Sequence, residues 1–425
     1  MKLFADLHLH SKYSRAVSEK MNALELARAG KVKGLNLLGT GDFTHPLYLK
    51  ELKETLKPSQ HAGMYEAGGS LFLLTAEVSQ IFTQDGRGRR VHNILFAPSF
   101  EVVDQLNEGF DKWGKRDYDG RPIFGRSCIE LADLCRSISP DIEIIPAHCW
   151  TPWFAIFGSM SGFDSIKECF GDRASMVHAI ETGMSSDPAM NWRLSQLDDI
   201  TLVSFSDAHS PYPWKLGREA TIFDLDKPSY NELIDSIRKK DPKRLLSTIE
   251  TQPEYGKYHW DGHRACNFSC DPEESKRLHD VCPVCKRRMT IGVEHRVNQL
   301  ADRPAGFVPE GSIPFKALIP LSEVIAGVLD TGIMSKSVWR EFDSLMRACG
   351  NELNALLEAP YEKLAGATHE KIAKAIIDNR EGRVRVKPGY DGVYGVPIFG
   401  EKEKVSIAIE PAERSRLGQQ TLGEY

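Results

Sequence analysis

The sequence predicts an α/β fold in its first half, followed by a small four-cysteine domain and a C-terminal helical region, and three observations support this. Apolar runs of strand length recur at 3–10, 35–42, 71–77, 90–97, 142–148, 177–182 and 201–207, with helix-like stretches at 22–29, 47–56, 99–109 and 128–138 between them. Strands alternating with helices favour a parallel sheet or barrel. Beyond residue 250 this pattern gives way to two close cysteine pairs, and then to apolar residues spaced by three and four over 294–303, 321–330, 335–357 and 368–380, the signature of helices. A chain of 425 residues exceeds the limit of about 250–300 for one core. The expected units are 1–250, 251–300, 301–400 and a tail over 401–425.

The first strand carries the first chemical signal. In Asp6-Leu7-His8-Leu9-His10 successive side chains point to opposite faces, so Leu7 and Leu9 can enter a core while Asp6, His8 and His10 line the other face. Imidazole nitrogens and carboxylate oxygens are ordinary ligands of zinc, manganese and iron; the alternative is an edge strand whose histidines face solvent. Later strands favour the metal reading. Their C-terminal edges carry Asp42, Glu77, His92, His148, Glu181, and Asp207 with His209, and active sites of α/β barrels are assembled at that face. Histidine is scarce, 13 residues in all, so its presence at four of seven edges outweighs the carboxylates, which are common enough to fall there by chance. Glu181 can equally cap a helix or orient another ligand, and His45 can be a loop histidine beside Pro46. Ser127-x-x-Glu130 is a capping-box pattern that opens the helix at 128–138, and Ser229 with Glu232 does the same near 230–239.

Composition narrows the class. No run of about 18 apolar residues exists, and no charged segment followed by an apolar one opens the chain, so a cytoplasmic protein with no membrane partner is expected. A net charge of −5 argues against wholesale coating of nucleic acid but leaves local basic patches free to track phosphates. Nine cysteines, an odd number, fit reduced thiols and a metal site better than a disulfide framework. Cys266-x3-Cys270-x11-Cys282-x2-Cys285 matches one structural zinc held by four thiolates, with iron-sulfur, catalytic zinc and redox thiols as alternatives.

The ordered set Asp6-x-His8-x-His10, Asp42, Glu77, His92, His148 and Ser206-Asp207-x-His209 resembles the polymerase and histidinol phosphatase (PHP) superfamily. That resemblance implies a distorted seven-stranded (βα)7 barrel that hydrolyses phosphate esters with two or three divalent metals, zinc, magnesium or manganese. It implies that His8, His10, Glu77 and Asp207 hold one metal and that Glu77, His92 and His148 hold a second, with Glu77 bridging. A third metal usually uses His209 and two more histidines. Ala16 and Phe43 stand at those positions here, unless Asp42 and His45 rebuild the site. Two cations about 3.5–4 Å apart lower the pKa of a bridging water and clamp a phosphate, so the expected chemistry is attack of a metal-bound hydroxide on phosphorus, with Asp207, Glu77 and His148 central.

Adding the cysteine insert, Leu216-Gly217-Arg218-Glu219-Ala220-Thr221 and Thr290-Ile291-Gly292-Val293-Glu294-His295-Arg296-Val297, the whole chain resembles endonuclease Q, an archaeal-type repair family. The resemblance implies nicking of DNA 5′ of hypoxanthine, uracil, xanthine or an abasic site, leaving 3′-OH and 5′-phosphate. A base altered on its pairing edge has to be read outside the stack. Candidate DNA contacts are Trp150 and Trp153, Arg218, the cluster Lys286-Arg287-Arg288, Arg383 and Arg385, and Tyr390. Against these stand aromatic packing under a loop, surface salt bridges, a solvated turn and a tyrosine-bearing hairpin. Gln419, Leu422 and Tyr425 fall on one helical face and look like a sliding-clamp docking motif; the expected assembly is a monomer on the clamp, in the nucleoid. The alternatives are a phosphatase of small phosphomonoesters and a non-catalytic clamp-tethered DNA-binding protein.

Overall fold

All seven expected strands are present, and they meet on a common interior. In the computed structural model, which describes residues 1–399, Leu3, Ala5 and Leu7, Leu37, Leu73, Ile94 and Phe96, Ile145, Ala179 and Val203 pack into one buried cluster. Past the end of the first strand Leu7 enters this cluster and Leu9 a second one, while Asp6, His8 and His10 are just as deeply buried. Lys2–Asp6 runs parallel to Leu37–Gly39, which runs parallel to Ser70–Gln84. Ala179–Glu181 and Thr201–Val203 form a separate parallel pair.

The sheet is not uniformly parallel. Ser70–Gln84 turns back directly into Arg87–Ala97 as a long antiparallel hairpin, and Arg87–Ala97 is antiparallel to Glu143–Pro146 as well. On the other edge Lys2–Asp6 pairs antiparallel with Ala220–Asp224, itself antiparallel to Leu245–Glu250. Asp85-Gly86, both at positive φ, makes the two-residue turn that an antiparallel hairpin favours. Glu77 and His92 therefore lie within this hairpin and not at the C-terminal edges of parallel strands, as alternation alone suggested.

Local signals placed the helices well. Asn22, Ser99, Ser127 and Ser229 cap Ala23–Lys33, Phe100–Asp111, Cys128–Ile138 and Tyr230–Arg238. Ser127 and Glu130 form the full reciprocal capping box. Glu232 instead receives the amides of Asp226 and Lys227, fixing the entry to its helix. In the C-terminal region the stretch 335–357 divides at Gly350, which has positive φ, into Lys336–Cys349 and Glu352–Leu357. These pack with Leu321–Leu329 and Glu370–Arg380 in a core continuous with that of the first half. Candidate clamp residues Gln419, Leu422 and Tyr425 lie outside the described residues. No described helix is long and apolar enough to cross a membrane.

One buried ion pair joins the two halves. Lys33 Nζ, at the end of Ala23–Lys33, lies 2.7 Å from Glu352 Oε1 and also donates to Pro213 O, while the same Glu352 oxygen accepts from Leu321 N. Both side chains are almost fully buried, so removing one partner strands a charge without water. Glu352→Ala is expected to cost about 3 kcal/mol or more in urea unfolding; a loss below about 1 kcal/mol would mean that water reaches Lys33.

Candidate metal centre

Two ligand groups converge above the strand core. His8, His10 and Asp207 bring three ligand atoms within 4.8 Å of one another, and Glu77, His92 and His148 do the same. Glu77 touches both groups: its Oε1 lies 2.8 Å from His92 Nδ1, 3.2 Å from His148 Nε2 and 3.7 Å from His8 Nε2, and its Oε2 lies 3.4 Å from His10 Nε2. The hairpin register explains part of this. Glu77 is paired with Ile94, so His92, two residues away, is its diagonal neighbour on the same face.

The free atoms fit a metal. His8 Nε2, His10 Nε2 and Asp207 Oδ1 are buried and without hydrogen-bond partners among the described residues, although His10 Nε2 and Asp207 Oδ1 are only 3.0 Å apart. Buried polar atoms are rarely left unpaired. The opposite ring nitrogens are held from outside, His8 Nδ1 by Glu181 at 2.9 and 3.1 Å and His10 Nδ1 by Asp42 at 3.1 Å. A carboxylate behind each imidazole fixes its tautomer and turns the other lone pair inward, the usual arrangement behind a metal-bound histidine.

This corrects several expected ligands. Asp42 spends one oxygen on His10 and the other on Ser11 N and Ser14 Oγ. Glu181 spends both on His8 and also accepts from His148 N at 2.6 Å. Asp6 accepts from Ser206 N, Ser206 Oγ and Gly217 N, so it ties the first strand to the loop that carries Asp207. His45 stacks on Tyr13 at 4.5 Å with its Nε2 toward Asp117 O, away from both groups. The His209 ring lies 4.7 Å from that of His10, tilted by 50°, and stands 3.7 Å from Asp207 Oδ1, but belongs to neither group.

Electrostatics follow the same geometry. Burial opposes the charged form of His8, but Glu181, Glu77 and Asp207 lift its pKa well above the ordinary value. His10 is lifted likewise against its burial, chiefly by Asp42. Burial pushes His92 down to about 3 despite Glu77 beside it. Burial also opposes ionisation of Glu77, yet His92, Arg121 and His8 hold its carboxyl well below the usual range. The cluster is thus a carboxylate core crowded by positive charge. Asp42, His148 and Asp207 all have positive φ, 42°, 30° and 48°, uncommon for residues with side chains and typical of strained functional positions. Gly183 lets His148 settle there, since a Cβ at that position would stand 2.8 Å from His148 Cβ.

Beside the cluster lies a cavity of about 190 Å³ lined by His148, Glu181, Asp207, Arg218, Lys257 and Tyr394 among others. Lys215 and Lys257 sit 5.1 and 4.8 Å from the Tyr394 ring, and with Arg218 they lower the phenol pKa against its burial. Tyr394, from the same Gly-Tyr stretch as Tyr390, lines this cavity. Tyr390 is only 8% exposed and donates its hydroxyl to Asn267 Oδ1 at 2.7 Å, so it cannot stack on a base. Trp150 is likewise withdrawn as a DNA contact: it is fully buried against Phe157, and its Nε1 donates to Asn191 Oδ1 at 2.8 Å. Trp153 is half-buried and lines another cavity, of about 340 Å³, with Phe82, Arg89 and Arg90. Lys286, Arg287 and Arg288 are exposed. Arg383 is paired with Asp378 and Glu381, and Arg385 is exposed on the wall of a basic and apolar groove.

The second candidate metal site also differs from expectation. Cys266, Cys282 and Cys285 are joined within 4.8 Å by His263 and not by Cys270. In the hairpin of Asp261–His263 and Phe268–Cys270, His263 is paired with Phe268 and Cys270 with Asp261. That sets Cys270 two positions further along, about 7 Å at strand rise, where it packs in an apolar cluster with Cys282 and Met289. The spacing His263-x2-Cys266 was the available signal.

A model of the MJ0043 C-terminal domain matches residues 320–383. The uncharacterized protein MJ0043 of Methanocaldococcus jannaschii is 30% identical over 257 residues, 59% of this chain but only 31% of that longer protein. The uncharacterized protein YqxK of Bacillus subtilis is 28% identical over 409 residues, 93% of this chain and 98% of that one. Among solved structures, the lesion-specific endonuclease PfuEndoQ from Pyrococcus furiosus superposes with a TM-score of 0.85 at 33% identity, covering 95% of this chain and 98% of that one. An endonuclease Q complex with a 27-mer duplex carrying an abasic lesion at its active site gives 0.85 and 33%, over 96% and 99%. Fold and site together define a metal-dependent hydrolase. With one third of its residues identical to PfuEndoQ along nearly the full length of both, the chain belongs to the endonuclease Q family.

Two measurements test the geometry. Glu181→Gln is expected to weaken metal binding about 10–100-fold in chelator competition; unchanged affinity would remove its orienting role. Below the site, Glu219 and Glu250 are fully buried. Burial pushes Glu219 up to about 8 from its ordinary 4.5, and burial with Glu219 beside it lifts Glu250 further. A carboxyl raised in the folded state stabilises most below the unfolded pKa and loses that contribution as pH climbs to the folded one. Stability of the metal-loaded protein is therefore expected to fall between pH 5.5 and 8, by about 1.4 kcal/mol per pH unit for each proton retained only in the fold. Glu219→Gln should flatten that slope in pH-dependent urea unfolding.

Proposed function

We propose that this chain is a DNA repair endonuclease that hydrolyses the phosphodiester 5′ of a deaminated base or an abasic site, leaving a 3′-OH and a 5′-phosphate. The observation that carries the reading is the pair of ligand groups meeting at Glu77, on a fold that superposes on endonuclease Q bound to a duplex with an abasic lesion. His8, His10 and Asp207 would hold one divalent cation and His92 and His148 a second, with Glu77 in reach of both. The four imidazoles suit zinc best, while Glu77 and Asp207 supply the oxygen donors that manganese or magnesium would take. Such cations supply an activated water and neutralise the phosphoryl oxygens.

The chain's own residues do the rest. Asp42 and Glu181 orient the imidazoles, Asp6 fixes the loop of Asp207, and the cavity under Tyr394 receives the extruded nucleotide, with Lys257 and Arg218 on its wall. An extruded base leaves the stack most cheaply when it is already mispaired or missing. Lys286, Arg287, Arg288 and Arg385 are exposed cations free to follow the backbone, and Trp153 is placed to touch the opened strand. His263, Cys266, Cys282 and Cys285 would hold one structural zinc, folding a unit at about 251–300 between the strand-rich region and the C-terminal helices. The tail residues Gln419, Leu422 and Tyr425 would tether a monomer to the sliding clamp at the nucleoid.

The test is direct. Purified protein with Mg²⁺, Mn²⁺ or Zn²⁺ should nick a labelled deoxyinosine, deoxyuridine or abasic duplex one bond 5′ of the lesion, and Asp207→Ala should abolish the cut. Hydrolysis of small phosphomonoesters with every duplex left intact would overturn the reading.

A further inference from the structure

One charged group at the centre has no place in the ligand sets. Arg121 lies in the loop between Phe100–Asp111 and Ile123–Phe124, and its Nη1 is 2.9 Å from Glu77 Oε2. The loop is locked in place. Gly120 N donates to Tyr13 O at 3.2 Å, Gly120 O accepts from Thr44 Oγ1 at 2.9 Å, and a Cβ at Gly120 would stand 2.2 Å from Asp42 Oδ2 and 2.3 Å from Ser14 Oγ. Only glycine lets the chain pass so close to the carboxylate behind His10, and the next residue is thereby aimed into the centre.

The guanidinium is not used up there. Its bond to Glu77 is the only hydrogen bond it makes among the described residues, and 26% of the Arg121 side chain is accessible while Glu77 beside it shows 0%. A guanidinium carries five N–H donors in a rigid fork. One is spent on Glu77, and the others have no hydrogen bond to the described residues. Asp42 cannot meet them, since it is consumed by His10, Ser11 and Ser14, and Asp207 and Asp119 act on Arg121 only through charge, with no hydrogen bond to its guanidinium among the described residues. Free donors beside paired cation sites suit a planar oxyanion.

We propose that Arg121 is a catalytic residue that binds a non-bridging oxygen of the scissile phosphate while one of its N–H groups holds Glu77. This rests on the phosphodiesterase reading above. In that reaction the water oxygen bonds to phosphorus and the P–O3′ bond breaks with its electron pair on O3′; one of the two water protons ends on O3′ and the other in bulk, leaving the 5′-phosphomonoester as a dianion. Arg121 forms no covalent bond and gives up no proton; it balances the charge that grows on the phosphoryl oxygens.

The experiment uses the metal-loaded full chain with Arg121→Gln and Arg121→Lys. Arg121→Gln should keep the wild-type metal content by elemental analysis and bind uncut lesion duplex within about threefold. Its kcat should fall about 10²–10³-fold, the usual loss for one oxyanion donor, with Arg121→Lys recovering part and added guanidinium rescuing Arg121→Ala. The same fall is expected on bis(p-nitrophenyl) phosphate, a diester that needs no lesion. Loss of bound metal in Arg121→Gln, or kcat within threefold of wild type, would overturn the proposal. A wild type that cleaves only the small diester, with the variant still impaired, fails the lesion reading and supports Arg121; a wild type that cleaves neither substrate overturns both.

Discussion

A carboxylate with no exposed surface, ringed by His8, His10, His92 and His148 within 4 Å and by Arg121 at 2.9 Å, has to be matched by positive charge, because desolvating an unpaired anion costs several kcal/mol. Protons on the imidazoles can supply that charge, and so can cations. The two compete for the same lone pairs. His8 and His10 are driven toward the charged form by Glu181, Asp42 and their neighbours, so metal loading has to displace protons, and the carboxylates that raise proton affinity also raise metal affinity. Glu77 is the group both halves share, and moving it would disturb every other ligand.

Rigidity comes from outside the ligand set. Asp6, Asp42 and Glu181 form an outer ring that accepts from four backbone amides (Ser11, His148, Ser206 and Gly217) as well as from side chains. These bonds hold Asp42, His148 and Asp207 at positive φ, conformations that cost of order 1–3 kcal/mol each. Strain of that size persists only where surrounding bonds over-determine the backbone. Asp6, tied to Ser206 and Gly217, joins the first ligand segment to the last together with the backbone bond from His10 N to Ala208 O.

Which parts were legible in the sequence follows from what sequence patterns encode. The placing of His8 and His10 together, the caps at Ser127 and Ser229, and the helical spacing after residue 320 are local, and the structure carries them as expected. The division between a ligand and the group that orients it is not local. Asp42, Glu181 and Asp207 are all acids near strand ends, and only the direction of their oxygens separates the last from the first two. The same holds for Cys270 against His263, where hairpin register decides, and for Tyr390 against Tyr394, four residues apart with one ring inside and the other over the metal cavity. Arg121 had no sequence signal, since a lone arginine in a loop is ordinarily solvated.

Charge distribution connects the site to its proposed substrate. The chain is net negative, and exposed charges separated by more than a Debye length, about 8 Å at physiological salt, are largely screened, so a nucleic acid would meet little general attraction. Cations instead gather at points: Lys215, Lys257 and Arg218 about Tyr394, Arg121 within the centre, and Lys286 to Arg288 beside the cysteine site. A polyanion gains most where its backbone reaches several of these together. The Tyr394 cavity includes His148 and Asp207 in its wall, and in the proposed reaction an extruded nucleotide would enter there. In that proposed reaction the cost of extrusion, and not overall affinity for DNA, would separate a damaged strand from an intact one.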